Sequence, residues 1–203
     1  MSMLNSAKKY GLYTLLLGGA LLASCDTEDP EPENEVEVFT DVTLIFTNNA
    51  DASDVVRASA QDPDGTGVQE LVIEDEITLT AGATYTLTFE ILNALDADDV
   101  EDLGDEILEE DNEHQFFFQF TDGAFSNPAG NGNFDDASEG VNYNDQDEND
   151  HNVGLSTEWT AGDAQTGSSF RVRLQHQPDV KTGSTGVNDG DTDFDLDFVL
   201  NIQ

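Results

Sequence analysis

From residue 36 onward, apolar residues recur at every second position, and this alternation constrains the fold more than any other feature. Val36, Val38, Val42, Leu44 and Phe46 share one parity, the spacing that places side chains on a single face of an extended strand. Similar runs follow at Leu71-Ile73-Ile77-Leu79, Tyr85-Leu87-Phe89-Ile91, Phe116-Phe118-Phe120, Val153-Leu155-Trp159, Phe170-Val172-Leu174 and Phe194-Leu196-Phe198-Leu200-Ile202. Weaker strands are expected at Val55 to Ala58 and Val141 to Tyr143. Separated by Gly, Asp and Asn turns, these runs predict an all-β fold: an antiparallel, Ig-like β-sandwich of seven to nine strands over residues 36–203. One segment departs from period two. Between Ala97 and Asn112, Val100, Leu103 and Ile107 stand at helical spacing amid acidic residues, predicting one short amphipathic helix that crosses between sheets. Gly123 to Gly140 and Pro178 to Asp193 are polar and glycine-rich, as long surface loops are.

The start of the chain has a different character. Lys8 and Lys9 precede an apolar run from Tyr10 to Ala23, interrupted by Gly11, Gly18 and Gly19. That run is shorter than the roughly 20 residues of a spanning helix, so residues 1–24 read as a secretory leader. Leu22-Ala23-Ser24-Cys25 offers an aliphatic residue, two small residues and a thiol, the pattern cleaved and acylated in bacterial lipoproteins. Cys25 is the single cysteine. It is expected to carry lipid and moor the chain to a bilayer, and the domain must then hold together without a disulfide. Residues 25–35, acidic and broken by Pro30 and Pro32, cannot bury enough apolar surface to fold and read as a tether. Such a run behind an acylated cysteine is similar to the export signal of Bacteroidetes outer-membrane lipoproteins, and a plain solvated linker has the same composition. The expected location is the outer membrane, at the cell surface or on the periplasmic face.

Six basic residues stand against 44 acidic ones, a net charge of −38. Removing the leader takes away Lys8 and Lys9 and no acid, leaving −40 on Arg57, Arg171, Arg173 and Lys181 against the same 44 carboxylates. A phosphate-binding surface needs a basic patch, so nucleic acid and anionic head groups are excluded as partners. Cations and cationic ligands remain, as does the simpler reading that the acidity serves solubility in a salty medium, where ions screen self-repulsion.

Three histidines stand at strand ends: His114, His151 and His176. If Val153 to Trp159 and Phe170 to His176 form a hairpin with Trp159 opposite Phe170, Val153 faces His176 and His151 lies one diagonal step away. If the strand opened by His114 also runs antiparallel to the His176 strand, all three imidazoles gather at one end of the sandwich. With Glu113, Asp150 and Asp179 close in sequence, they would suit zinc, copper or nickel. His114 and His176 make the better pair because both continue core-facing parities. Edge or surface histidines satisfied by neighbours are the alternative.

Asp145, Asp147 and Asn149 alternate as in a calcium loop. Asp150 stands in place of its turn glycine, however, and Ser156 in place of its bidentate glutamate. In the last strand Asp189, Asp191, Asp193, Asp195 and Asp197 alternate with core residues. That ladder is either a cation-binding face or a soluble one that blunts an edge strand. No Gly-x-Ser-x-Gly elbow, phosphate loop with lysine, or His-Glu-x-x-His is present, and no catalytic residues are assigned.

The leader through Cys25, the acidic tether, Glu113-His114-Gln115-Phe116-Phe117-Phe118, His151-Asn152-Val153-Gly154-Leu155, Leu174-Gln175-His176-Gln177-Pro178-Asp179, Gly186-Val187-Asn188-Asp189-Gly190 and the aspartate-alternating last strand resemble a family of small Bacteroidetes lipoproteins, many of them named type 1 periplasmic binding fold superfamily proteins. The resemblance covers nearly the whole chain and implies envelope localisation and binding of a small solute. Its name also implies an α/β fold of parallel strands and crossover helices. The chain departs from that, with one short helix and no βαβ rhythm, so the periodicity governs the expectation of fold. The functional expectation is a non-enzymatic ligand-binding module. Two alternatives are an accessory lipoprotein docking on an outer-membrane protein partner and, with Trp159 as sole tryptophan, a carbohydrate-binding domain.

Overall fold

A computed structural model describes residues 37–65, 70–135 and 140–203. The expected leader (1–24), the acylated Cys25 and the tether (25–35) lie outside the described residues. Twelve strands and one helix follow in chain order: β1 (Asp41–Asn48), β2 (Val55–Gln61), β3 (Val72–Ile73), β4 (Ile77–Leu79), β5 (Thr84–Asn93), β6 (Glu101–Asp102), α1 (Leu103–Glu109), β7 (His114–Phe120), β8 (Phe125–Asn127), β9 (Asn142–Tyr143), β10 (Ser156–Ala161), β11 (Gln165–His176) and β12 (Asp191–Ile202). Eight form one sheet in the order β3-β2-β1-β5-β10-β8, with β6 added to β5 and β9 to β10; the other sheet runs β4-β12-β11-β7. The chain is an all-β sandwich. Its strands exceed the expected seven to nine because short two- and three-residue strands extend the larger sheet. The α/β architecture implied by the family name is not found, and β4 with β12 is the single parallel pairing among the described strands.

Register explains why alternation translates into a core. In the smaller sheet Phe170 stands between Phe198 and Phe120, Val172 between Leu196 and Phe118, and Leu174 between Phe194 and Phe116. Every row thus presents three apolar side chains to one face. From the larger sheet Val42, Leu44 and Phe46, opposite Ile91, Phe89 and Leu87, supply the facing layer. Trp159 of β10 closes the seam, with ring centroids 4.9 Å from Phe125, 5.1 Å from Phe170 and 5.2 Å from Phe118. Its indole Nε1 donates to Thr157 Oγ1 at 2.7 Å, satisfying the one polar atom that a buried tryptophan carries.

Two expectations need correction. The hairpin between Val153–Trp159 and Phe170–His176 does not form: β10 belongs to the larger sheet and β11 to the smaller. Trp159 and Phe170 still meet, but across the interior, because parity determines the face of a residue and not the strand beside it. The helix is shorter than residues 97–112. Glu101 and Asp102 pair with β5 instead, Asp102 caps α1 by accepting from Gly104 N at 3.0 Å, and Val100 is exposed while Leu103 and Ile107 are buried. As expected, α1 carries the chain from one sheet to the other. The aspartate ladder keeps an open side: β4 pairs with β12 only at Leu200, Asn201 and Ile202, so among the described residues the stretch from Asp191 to Asp197 pairs with β11 alone. Asp195 is neutralised by Arg171 and Arg173 of β11 at 2.5 Å each.

Candidate metal centre

At one end of the smaller sheet β7 begins where β11 finishes, with His114 directly opposite His176. Their rings stack at 4.6 Å with planes 7° apart. The third expected member is elsewhere: His151 Nδ1 stands 3.5 Å from Asp147 Oδ2 in the turn before β10, and the donor groups gathered around His114 do not include it among the described residues.

His114 is fully buried, and its environment is asymmetric. Nδ1 lies 3.2 Å from the carbonyl of Glu110, which also accepts from Glu113 N at 2.9 Å just past the end of α1. A carbonyl only accepts, so Nδ1 carries a proton and Nε2, which a proton or a cation can occupy, points the other way. There it meets two carboxylates, Glu37 Oε1 at 3.3 Å and Asp193 Oδ2 at 4.0 Å. Burial opposes protonation of His114, but the Glu37 carboxylate, the Asp193 charge and the Glu110 carbonyl outweigh it and raise its proton affinity. Asp193 is pushed up to about 7, first by burial and then by the nearby charge of Glu37, with His114 opposing.

How Asp193 reaches the interior is a matter of register. Leu174 pairs with Phe194 but Gln175 pairs with Thr192, so Asp193 is the extra residue of a β-bulge. A bulge re-aims a side chain, and here it takes Asp193 off the outward parity of the ladder and toward His114. Glu37 arrives from the segment entering β1. Neither residue was legible as a site member: alternation put Asp193 on the outer face, and Glu37 was one acid among many beside the tether. The sequence signal that does survive is the core-facing parity of His114 and His176.

Donor atoms of Glu37, His114 and Asp193 lie within 4.8 Å of one another, as do those of Glu110, His114 and His176. The first set is the better metal site. Glu37 Oε2, His114 Nε2 and Asp193 Oδ2 are all buried without a hydrogen bond, whereas in the second His114 Nδ1 is engaged by the Glu110 carbonyl and His176 Nε2 sits 3.4 Å from Glu113 Oε2. A cleft of about 240 Å³, lined by Glu37, Asp62, Glu70, Asp193 and Asp195 with Phe39 and Phe194, opens beside it.

The residues of the expected calcium loop are otherwise occupied. Asp145 accepts from the amides of Gly154 at 2.9 Å and Ser156 at 3.1 Å. Asp147 Oδ1 accepts from Asn149 N at 2.8 Å and His151 N at 2.9 Å, and its Oδ2 faces Lys181 Nζ at 3.2 Å. Asn149 contributes its amide to this turn. These contacts clasp the loop to itself, and Asp145 and Asp147 are not among the donor groups that gather within 4.8 Å of one another among the described residues. Compared with protein-family models, curated proteins and solved structures, the chain matches none.

Proposed function

We propose that this chain is a membrane-tethered envelope lipoprotein, held in the outer membrane through acylated Cys25, whose β-sandwich binds a divalent transition metal through His114 Nε2, Glu37 and Asp193 and performs no catalysis of its own. One observation carries the metal reading: three buried donor atoms without hydrogen bonds face one another. Leaving a buried polar group unpaired costs about 1–3 kcal/mol, more when it is charged, and a dication answers all three at once. The tautomer supports this, since metal-ligating histidines donate their other ring N–H to a carbonyl or carboxylate, as His114 does to Glu110. One imidazole with two carboxylates suits zinc; stacked against His114, His176 fixes the orientation of the ligating ring. The lipid anchor and envelope location rest on Leu22-Ala23-Ser24-Cys25 and on the resemblance to Bacteroidetes lipoproteins.

The test is thermal melting with and without Zn²⁺, for the wild type and for His114→Ala and Glu37→Gln. At a hundred times the dissociation constant, binding to the folded state alone adds about 2.7 kcal/mol, which for a chain of this size raises Tm by about 5–10 °C. The rise is expected in the wild type and lost in both variants. An equal rise in all three overturns the site, as does no rise in the wild type.

A further inference from the structure

The buried pair Lys181 and Asp147 plays no part in the proposed metal centre, yet it has the parts of a condensation site. Its side chains are 1% and 0% exposed, an unusual position for a lysine. Lys181 is the only lysine after Lys9. Nζ lies 3.2 Å from Asp147 Oδ2 and is oriented by a hydrogen bond to the Asp111 carbonyl at 2.6 Å. The two oxygens of Asp147 have different surroundings. Oδ1 receives two backbone amides, from Asn149 and His151, the arrangement that stabilises a developing oxyanion. Oδ2 receives no hydrogen bond and has the imidazole Nδ1 of His151 3.5 Å away. A buried amine, a buried acyl carbon with its oxyanion hole, and a partly exposed proton carrier beside the leaving oxygen thus meet between two loops.

We propose that Lys181 and Asp147 condense into an intramolecular isopeptide bond, tying the loop after β11 to the loop between β9 and β10. One proton passes from the ammonium to the carboxylate, giving a neutral amine and a neutral acid. Nζ attacks Cγ, and the resulting oxyanion rests on the Asn149 and His151 amides. His151 takes a second proton from Nζ and hands it to Oδ2. The Cγ–Oδ2 bond then breaks, water leaves, and an amide remains. No oxidant or cofactor is needed. Burial lowers the proton affinity of Lys181 against the opposing pull of Asp147; burial likewise favours the neutral acid of Asp147, but the His151 and Asn149 amides and Lys181 outweigh it and favour the carboxylate, so this proton transfer is the uphill step. An ion pair alone would use the same contacts, and the two states differ by one water.

Tryptic digestion of the purified, denatured full chain separates them. Beyond the leader the chain offers trypsin Arg57, Arg171, Arg173 and Lys181. Without the bond, residues 182–203 are released as a free peptide. With it, Lys181 is no longer a substrate, so residues 174–203 stay whole and remain attached to residues 58–171, at a mass one water below the sum of the two. The branched peptide is expected from the wild type and absent from Asp147→Ala and Lys181→Arg. Removing a proton carrier costs about a hundredfold or more in rate, so the bond should form correspondingly slowly in His151→Ala. Full release of residues 182–203 from the wild-type chain overturns the proposal; an unchanged rate in His151→Ala overturns the part given to that imidazole.

Discussion

Replacing Asp193 by Asn removes one buried charge from the cluster around His114 and should change how stability depends on pH. The Asp193 carboxyl is lifted from an ordinary 3.8 to about 7, so between these values the unfolded chain is ionised while the folded one keeps its proton. A group raised in this way stabilises the fold fully below about pH 4 and loses that contribution as pH rises through about 7. At about 1.4 kcal/mol per pH unit, the whole interval corresponds to about 4 kcal/mol, a ceiling because the His114 charge is coupled to it. His114, whose proton affinity is also raised, acts in the same sense, its contribution fully present below the ordinary 6.5 and lost as pH rises through its own raised value. Asp193→Asn should therefore match the wild type near pH 4 and exceed it by about 3–4 kcal/mol near pH 8. Urea denaturation in the presence of a chelator, at half-unit pH intervals, measures this difference. A difference that stays within about 0.5 kcal/mol across that range would refute the view that Asp193 is buried against Glu37. Zn²⁺ at pH 8 should reverse the order, since only the wild type keeps both carboxylates.

Two further outcomes follow from the same end of the sandwich and its outer face. Gly190 precedes β12 at a φ of +83°, where a Cβ would stand 2.1 Å from the His176 carbonyl oxygen and 3.0 Å from Gln177 Cα; Gly190→Ala should cost about 3 kcal/mol, and a melting curve showing under about 1 kcal/mol would contradict that close approach. Asp195 accepts from Arg171 Nε at 2.6 Å and Arg173 Nε at 3.0 Å while remaining partly exposed, so Asp195→Ala should cost about 1 kcal/mol in low salt and less at 1 M NaCl, read from paired urea titrations.

Much of the fold is legible in the sequence because burial has a period. Val42, Leu44 and Phe46, or Phe194, Leu196 and Phe198, can lie on one face only if the backbone is extended, and all six are buried. His114 and His176 inherit the inward parity of Phe116 and Leu174, which is why their meeting could be anticipated. Partners are another matter. Nothing local distinguishes Trp159 beside Phe170 in one sheet from Trp159 above Phe170 across two, since both satisfy the same alternation.

What the sequence determined by itself was therefore the class of fold, the inward faces, the helix near Leu103 and Ile107, and a strongly acidic charge. Only the tertiary structure decided which strands lie side by side, that Asp193 leaves its ladder at a bulge, and that Glu37, distant in sequence, faces His114. The physical reason is one of range: side-chain alternation is a property of a few consecutive residues, while strand pairing, bulge placement and the convergence of buried donors depend on contacts between segments far apart along the chain.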